Sequence, residues 1–243
     1  MQIKDIIEKI EEFAPLSLAS DWDNSGWQVK LNFDETDKVL LALSPTLDVV
    51  EQAKELGCGL IVVHHPLFFG KITKLSPDVL NTKVAIEAIK NNIQIYAAHT
   101  NLDKAKGGVN DVMAELLGLR DVEVVGEFVR TGMIDAISVE DFAIQVKEAF
   151  GCKNIKLINP SGVKIVWKVA LCSGSGADLI NSCDSDIFIT GDVKYHNAIE
   201  ALDKAVLDVG HFESERVILP ILQNILTDVD TIIADEKHPW EIL

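Results

Sequence analysis

Positive charge is scarce in this 243-residue chain: Lys plus Arg number 22 against 38 Asp plus Glu, a formal net charge of -16. Such a field repels a phosphate backbone and lacks the basic footprint of a nucleic-acid-binding surface, so DNA and RNA are not expected partners. Cysteine is sparse too. Cys58, Cys152, Cys172 and Cys183 show no C-x-x-C spacing, which argues against a zinc knuckle and a disulfide framework and favours buried, inert thiols. No apolar run approaches the ~18 residues that span a bilayer. Met1-Gln2-Ile3-Lys4-Asp5 opens an acidic amphipathic stretch where a signal segment would be apolar, so a cytoplasmic protein without a membrane partner is expected. Low-complexity linkers and short-period repeats are also missing, which argues against a solenoid.

What the chain does have is apolar substance, 48% of its residues, sufficient for one large α/β domain or two lobes. Ile3, Ile6, Ile7, Ile10 and Phe13 share one face at helical period and predict an opening amphipathic helix. After a loop around residues 21–26, predicted strands at 39–43, 60–63 and 93–98 alternate with predicted helices. One helix covers 48–56 and is closed by Gly57; the other starts from a Ser76-Pro77 cap and runs through Ile89. This is the β-α-β rhythm of a mainly parallel sheet covered by helices. The second half repeats it less evenly. Ser138-Val139-Glu140-Asp141 reads as a capping box for a helix to Phe150, followed by strands at 163–171, 186–190 and 205–209. The pattern divides the chain into α/β lobes of residues 1–126 and 127–243, with mainly parallel or mixed sheets.

The chemistry-bearing residues gather where these strands end. His64-His65-Pro66 closes one strand, and adjacent histidines serve one site only at such an exit, because side chains alternate along the strand itself. Pro66 favours the exit by restricting His65 and supplying no ladder donor. The neighbouring strand leads to His99 and Asp103, the latter readable as a ligand or as a helix cap. A third gives Gly210-His211-Phe212-Glu213-Ser214-Glu215, where His211 and Glu215 share a helical face as ligands or as an i,i+4 ion pair. Five of the six histidines, all but His238, lie at or just after a predicted strand end. Imidazole and carboxylate suit zinc, iron or manganese, and a two-ion site with positions open to water is expected. Ser173-Gly174-Ser175-Gly176 offers either a phosphate-cradling turn or a tight turn alone. His196, after Gly191-Asp192, reads as a proton carrier or a cap. Trp22, Trp27, Trp167 and Trp240 read as core or interface residues.

Asp21-Trp22-Asp23-Asn24-Ser25-Gly26, Val63-His64-His65-Pro66-Leu67-Phe68-Phe69, the run from His99 to Asp103, and the segment from Gly210 to Glu215 occur in this order. Together they resemble the Nif-three-like dinuclear metal-centre family, whose members are often labelled GTP cyclohydrolase type-two-like. The resemblance implies two α/β lobes with two divalent metals in the cleft between them, and a toroidal homohexamer. It implies His64, His65, Asp103, His211 and Glu215 as metal ligands, with Asp103, alone or together with Glu215, bridging, and His99 and His196 lining the cavity as catalytic candidates. A common family Asp is Ser44 here, and a middle insertion of some relatives is absent. The implied activity is metal-dependent hydrolysis of a nucleotide or other small anionic, phosphorylated substrate. The alternative is a non-catalytic metal-binding scaffold or regulatory hexamer.

Overall fold

The isoleucines placed at helical spacing form the buried face of α1 (Ile3–Phe13), as the sequence predicts. The structure, a computed structural model, describes residues 1–201, 203–238 and 240. The chain next forms β1 (Gly26–Val29), β2 (Lys38–Ala42), α2 (Leu47–Leu56), β3 (Leu60–Val63), α3 (Leu80–Lys90), β4 (Gln94–Ala97) and α4 (Thr100–Lys104). The Thr46 side chain caps α2 by accepting from Val49 N at 3.2 Å, and Gly57 ends it at φ 72°, a conformation that costs glycine least. Ser76-Pro77 does not cap α3 as expected. Ser76 instead closes a separate turn, its carbonyl accepting from Val79 N at 3.2 Å and from Thr82 Oγ1 at 2.6 Å, and the helix starts at Leu80.

The middle of the chain contributes α5 (Val109–Leu116), β5 (Arg120–Val125), β6 (Val129–Ser138), α6 (Val139–Ala149), β7 (Lys156–Ile158), β8 (Ile165–Leu171), β9 (Ile187–Thr190), α7 (Tyr195–Glu200), β10 (Ala205–Asp208) and α8 (His211–Glu215). Ser138 caps α6 as predicted, its Oγ accepting from Asp141 N at 3.1 Å. The last elements are α9 (Leu219–Ile225) and β11 (Asp230–Ile233).

Two mixed sheets result. One has the order β1-β4-β3-β2-β11, parallel except for the antiparallel pair β1–β4. The other has the order β5-β6-β8-β9-β10-β7, with β8, β9 and β10 parallel and its outer pairs antiparallel. The first sheet packs Leu40, Ala42, Ile61, Val63, Ile95 and Ala97 against α2 and α3; the second packs Val169, Leu171, Ile187, Ile189 and Leu207 against α6. Central strands buried on both faces explain why they read as unbroken apolar runs.

The compact units are Met1–Lys106 with Ile218–Leu243, and Gly107–Val217. The division falls at Gly107 instead of near residue 127, and the last segment goes back to the first unit. The reason is pairing: the β5–β6 hairpin joins the second sheet, whereas β11 lies parallel to β2 in the first. Buried Arg130 ties the start of the second unit, binding Asp111 Oδ1 at 2.5 Å while Asp111 Oδ2 accepts from Gly107 N at 2.7 Å. A buried charge so paired avoids the large penalty of an isolated one. Among the described residues, no helix is long and apolar enough to cross a membrane.

Candidate metal centre

In the first unit, parallel pairing aligns the ends of β3 and β4, and Ala98 N donates to Val63 O at 2.9 Å. This alignment brings His64, His65 and His99 together. Their ring centroids are 5.1 Å (His64–His65), 5.1 Å (His64–His99) and 5.8 Å (His65–His99) apart. One ligand atom from each falls within 4.8 Å of the others, a group able to hold a metal ion. Asp103, buried on α4, brings Oδ1 to 3.6 Å from His64 Nε2.

Hydrogen bonds orient the three rings. His64 Nδ1 lies 2.9 Å from Ala98 O, and a carbonyl only accepts, so Nδ1 donates and the lone pair of the neutral ring is on Nε2. His99 Nδ1 donates to Asp23 Oδ1 at 2.8 Å. His65 Nδ1 lies 2.8 Å from Ser44 Oγ, which gives the residue that departs from the family pattern a definite contact. Burial alone would raise the Asp23 pKa, but donation from His99, Thr100 and Ser25 outweighs it and holds this carboxyl well below the usual range.

The second unit carries a different group. His211 Nε2 is 3.1 Å from Glu215 Oε2, one helical turn on, and His211 Nδ1 is 2.7 Å from Asp192 Oδ2. Burial would lower the His211 pKa, yet the two carboxylates prevail and push it up to about 9. Asp192 takes a left-handed conformation at φ 53°. Asp208 secures both loops, accepting from Val193 N at 3.2 Å and from Gly210 N at 3.1 Å.

Ser173-Gly174-Ser175-Gly176 does not form the phosphate cradle that its glycines allow. Ser173 N donates to Asn110 Oδ1 (2.7 Å), Gly174 N to Ser214 Oγ (2.9 Å) and Gly176 N to Thr190 Oγ1 (3.1 Å). The glycines admit neighbours instead: a Cβ on Gly174 would collide with the Glu215 carboxylate, and one on Gly176 would lie 2.7 Å from Cys172 Sγ. The chain then continues into a short 3-10 turn at Gly176–Leu179.

His196 is exposed on α7, edge-on to Tyr195 at 5.6 Å, and belongs to neither group. His238 is likewise elsewhere, 6.3 Å from the Trp240 ring. Trp22, Trp167 and Trp240 are exposed and so are not core residues; Trp27 packs edge-on against Tyr96 at 5.3 Å. Trp22 stands 6.0 Å from the His99 ring. Cys58, Cys152 and Cys172 are buried as expected, and Cys183 is half-buried. The sequence does not reveal Asp23 and Asp192 as partners of imidazoles. Their only signal is a place in polar turns beside strands, which does not separate Asp23 from Asp21.

The fold and these groups define a mixed α/β protein with histidine and carboxylate side chains displayed at strand ends, a group of which could hold a metal ion. The chain belongs to the family described as Duf34/NIF3 (NGG1p interacting factor 3), which matches residues 1–239. A Clostridium perfringens protein named GTP cyclohydrolase 1 type 2 homolog is 34% identical, with 100% of both chains covered. One of the same name from Methanocaldococcus jannaschii is 34% identical over 88% of this chain and 90% of its own. Among solved structures, a Bacillus cereus protein related to NIF3 superposes with TM-score 0.93, covering 100% of this chain and 99% of that one; at 23% identity it speaks for the fold alone. Reduced HcgD from Methanocaldococcus jannaschii gives TM-score 0.89 at 33% identity, covering 97% and 98%.

Proposed function

We propose that the chain is a metal-dependent hydrolase of a nucleotide or phosphorylated small molecule, with His64, His65, Asp103, His211 and Glu215 as ligands of two divalent ions. The observation that carries this reading is the convergence of His64, His65 and His99 ligand atoms within 4.8 Å, beside buried Asp103. The donor chemistry fits zinc, iron or manganese, since imidazoles with an oriented Nε2 and carboxylates are the ligands those ions take. The sharing of both ions by the two groups rests on the family resemblance. When bound, such ions supply Lewis acidity, activate water and offset the negative charge of this acidic chain for an anionic substrate.

The protein's own residues do the rest. Asp103 and Glu215 neutralise cationic charge, while the Ala98 carbonyl fixes His64 in its ligating tautomer. Asp23 orients His99 so that Nε2 can accept or return a proton; exposed His196 is a second candidate for that role. A homohexamer is part of the same proposal.

The test is metal analysis of protein purified without added metal, followed by hydrolysis assays on GTP and simple phosphoesters before and after chelation. Two ions per chain and chelator-sensitive turnover are expected. Metal without turnover of any of these substrates would favour the scaffold reading, and a folded protein that retains no divalent metal would overturn the proposal.

A further inference from the structure

The segment after β11 folds back on the exit of β2. Ala234 N donates to Leu41 O at 2.8 Å. Gln52 and Asp235 exchange two hydrogen bonds, Gln52 Nε2 to Asp235 O at 3.0 Å and Asp235 N to Gln52 Oε1 at 2.9 Å. The Glu236 carboxylate then spans two successive amides: Oε2 accepts from Leu43 N at 2.7 Å and Oε1 from Ser44 N at 2.9 Å. A carboxylate that accepts two backbone donors makes charge-assisted bonds, which are stronger than neutral ones.

The clamped dipeptide is also what holds His65. Leu43 O accepts from His65 N at 2.8 Å, and Ser44 Oγ meets His65 Nδ1 at 2.8 Å. Backbone and ring of one histidine are thus fixed by two adjacent residues, and those residues are fixed by a carboxylate from 192 positions beyond Ser44. A partner on Nδ1 sets the tautomer and aim of an imidazole, and hence the readiness of Nε2 to bind a cation.

We propose that Ser44 and Glu236 are positioning residues for His65, with Ser44 Oγ accepting Nδ1–H and Glu236 locking the Leu43-Ser44 backbone so that Nε2 faces a divalent cation. The inference rests on the reading of His65 as a metal ligand, and its first readout needs no metal. Long-range proton–nitrogen NMR of the imidazoles in metal-free protein reports which ring nitrogen is protonated. Wild type shows His65 protonated on Nδ1. Ser44→Ala and Glu236→Ala each erode that preference, while Ser44→Thr, which keeps the hydroxyl, retains it.

Cobalt(II) titration then gives affinity and a visible absorption spectrum that reports ligand geometry. Ser44→Ala and Glu236→Ala each weaken cobalt binding about 10-fold and alter the spectrum, the range expected for removing the partner of a ligating histidine. Because both act through one contact, the double variant loses little beyond either single one. Glu236→Gln, which keeps one acceptor oxygen, falls between wild type and Glu236→Ala. Circular dichroism establishes that each variant compared is folded; should Glu236→Ala not fold, Glu236→Gln takes its place. A wild-type tautomer in folded Ser44→Ala overturns the inference, as does a double variant whose loss equals the product of the single losses. Wild type that binds no cobalt while the tautomer responds to Ser44 and Glu236 overturns the metal reading and leaves the positioning contact standing.

Discussion

His64 and His65 in the first unit and His211 in the second are held by electrostatically different partners, while His99, paired with the Asp23 carboxylate, resembles His211. In the first, His64 leans on a carbonyl and His65 on a hydroxyl, neutral partners that orient a ring without demanding that it be charged. In the second, His211 lies between the carboxylates of Asp192 and Glu215, which hold its proton. A ligand imidazole must be neutral, so on the proposed metal reading His64 and His65 would take a cation without first losing a proton, whereas His211 would exchange a proton for one. The same residue type at the same kind of strand end therefore differs in what loading costs.

The largest expected effect breaks the comparison at a proposed carboxylate ligand. Asp103→Ala should lower metal content from two ions per chain to markedly fewer, whereas His211→Ala should chiefly weaken one ion; His238→Ala should change neither. Elemental analysis on folded protein decides it, and equal content in wild type and Asp103→Ala would refute the role of Asp103.

Gly174→Ala probes the second group alone. The added methyl would meet the Glu215 carboxylate, at a backbone φ of 59° that is already unfavourable for alanine. Strain of about 1 to 3 kcal/mol is expected, seen as a lower melting temperature together with reduced metal content. Wild-type values for both would show that the Glu215 carboxylate is free to move aside.

A smaller effect concerns pH. In metal-free protein the folded-state His211 pKa of about 9 exceeds its ordinary value of 6.5. The associated stability is therefore fully present below pH 6.5 and lost as pH rises through about 9. Metal affinity should move the other way, rising as the imidazole loses its proton. Asp192→Asn should flatten both trends, as thermal melts and metal titrations across this window would show. Identical profiles for wild type and Asp192→Asn would remove the carboxylate as the cause.

The smallest effect is expected from the first group's buried carboxylate. Asp23, held ionised, contributes stability present above the usual carboxylate pKa and lost as pH falls through its depressed folded value. Asp23→Asn should shrink that acid-side loss and leave the profile at alkaline pH unchanged; an unaltered acid limb would show that the network does not depend on the charge.

The sequence made the first unit more legible than the second for physical reasons. Strands β2 and β3 are buried on both faces and announce themselves as apolar runs, and α1 carries its period openly. Strand β5 is exposed along almost its whole length and β7 has only three residues, so neither offers a pattern to read. The histidines were visible because they cluster after strands. Their partners were not, because a serine, a backbone carbonyl or an aspartate in a turn looks ordinary until folding sets it beside a ring. Gly174 was ambiguous for a related reason: a glycine that admits a carboxylate and one that cradles phosphate are spelled alike.

The pairing of β11 with β2 also dictates an order of assembly during synthesis. Residues 107–217 form one uninterrupted unit and can complete their sheet as soon as they leave the ribosome. The first sheet has to wait with the β2 edge unpaired until Asp230–Ile233 emerges, more than a hundred residues after its other strands. For that interval the nascent chain carries an open, apolar strand edge, the feature most prone to pairing with a wrong neighbour, until β11 covers it.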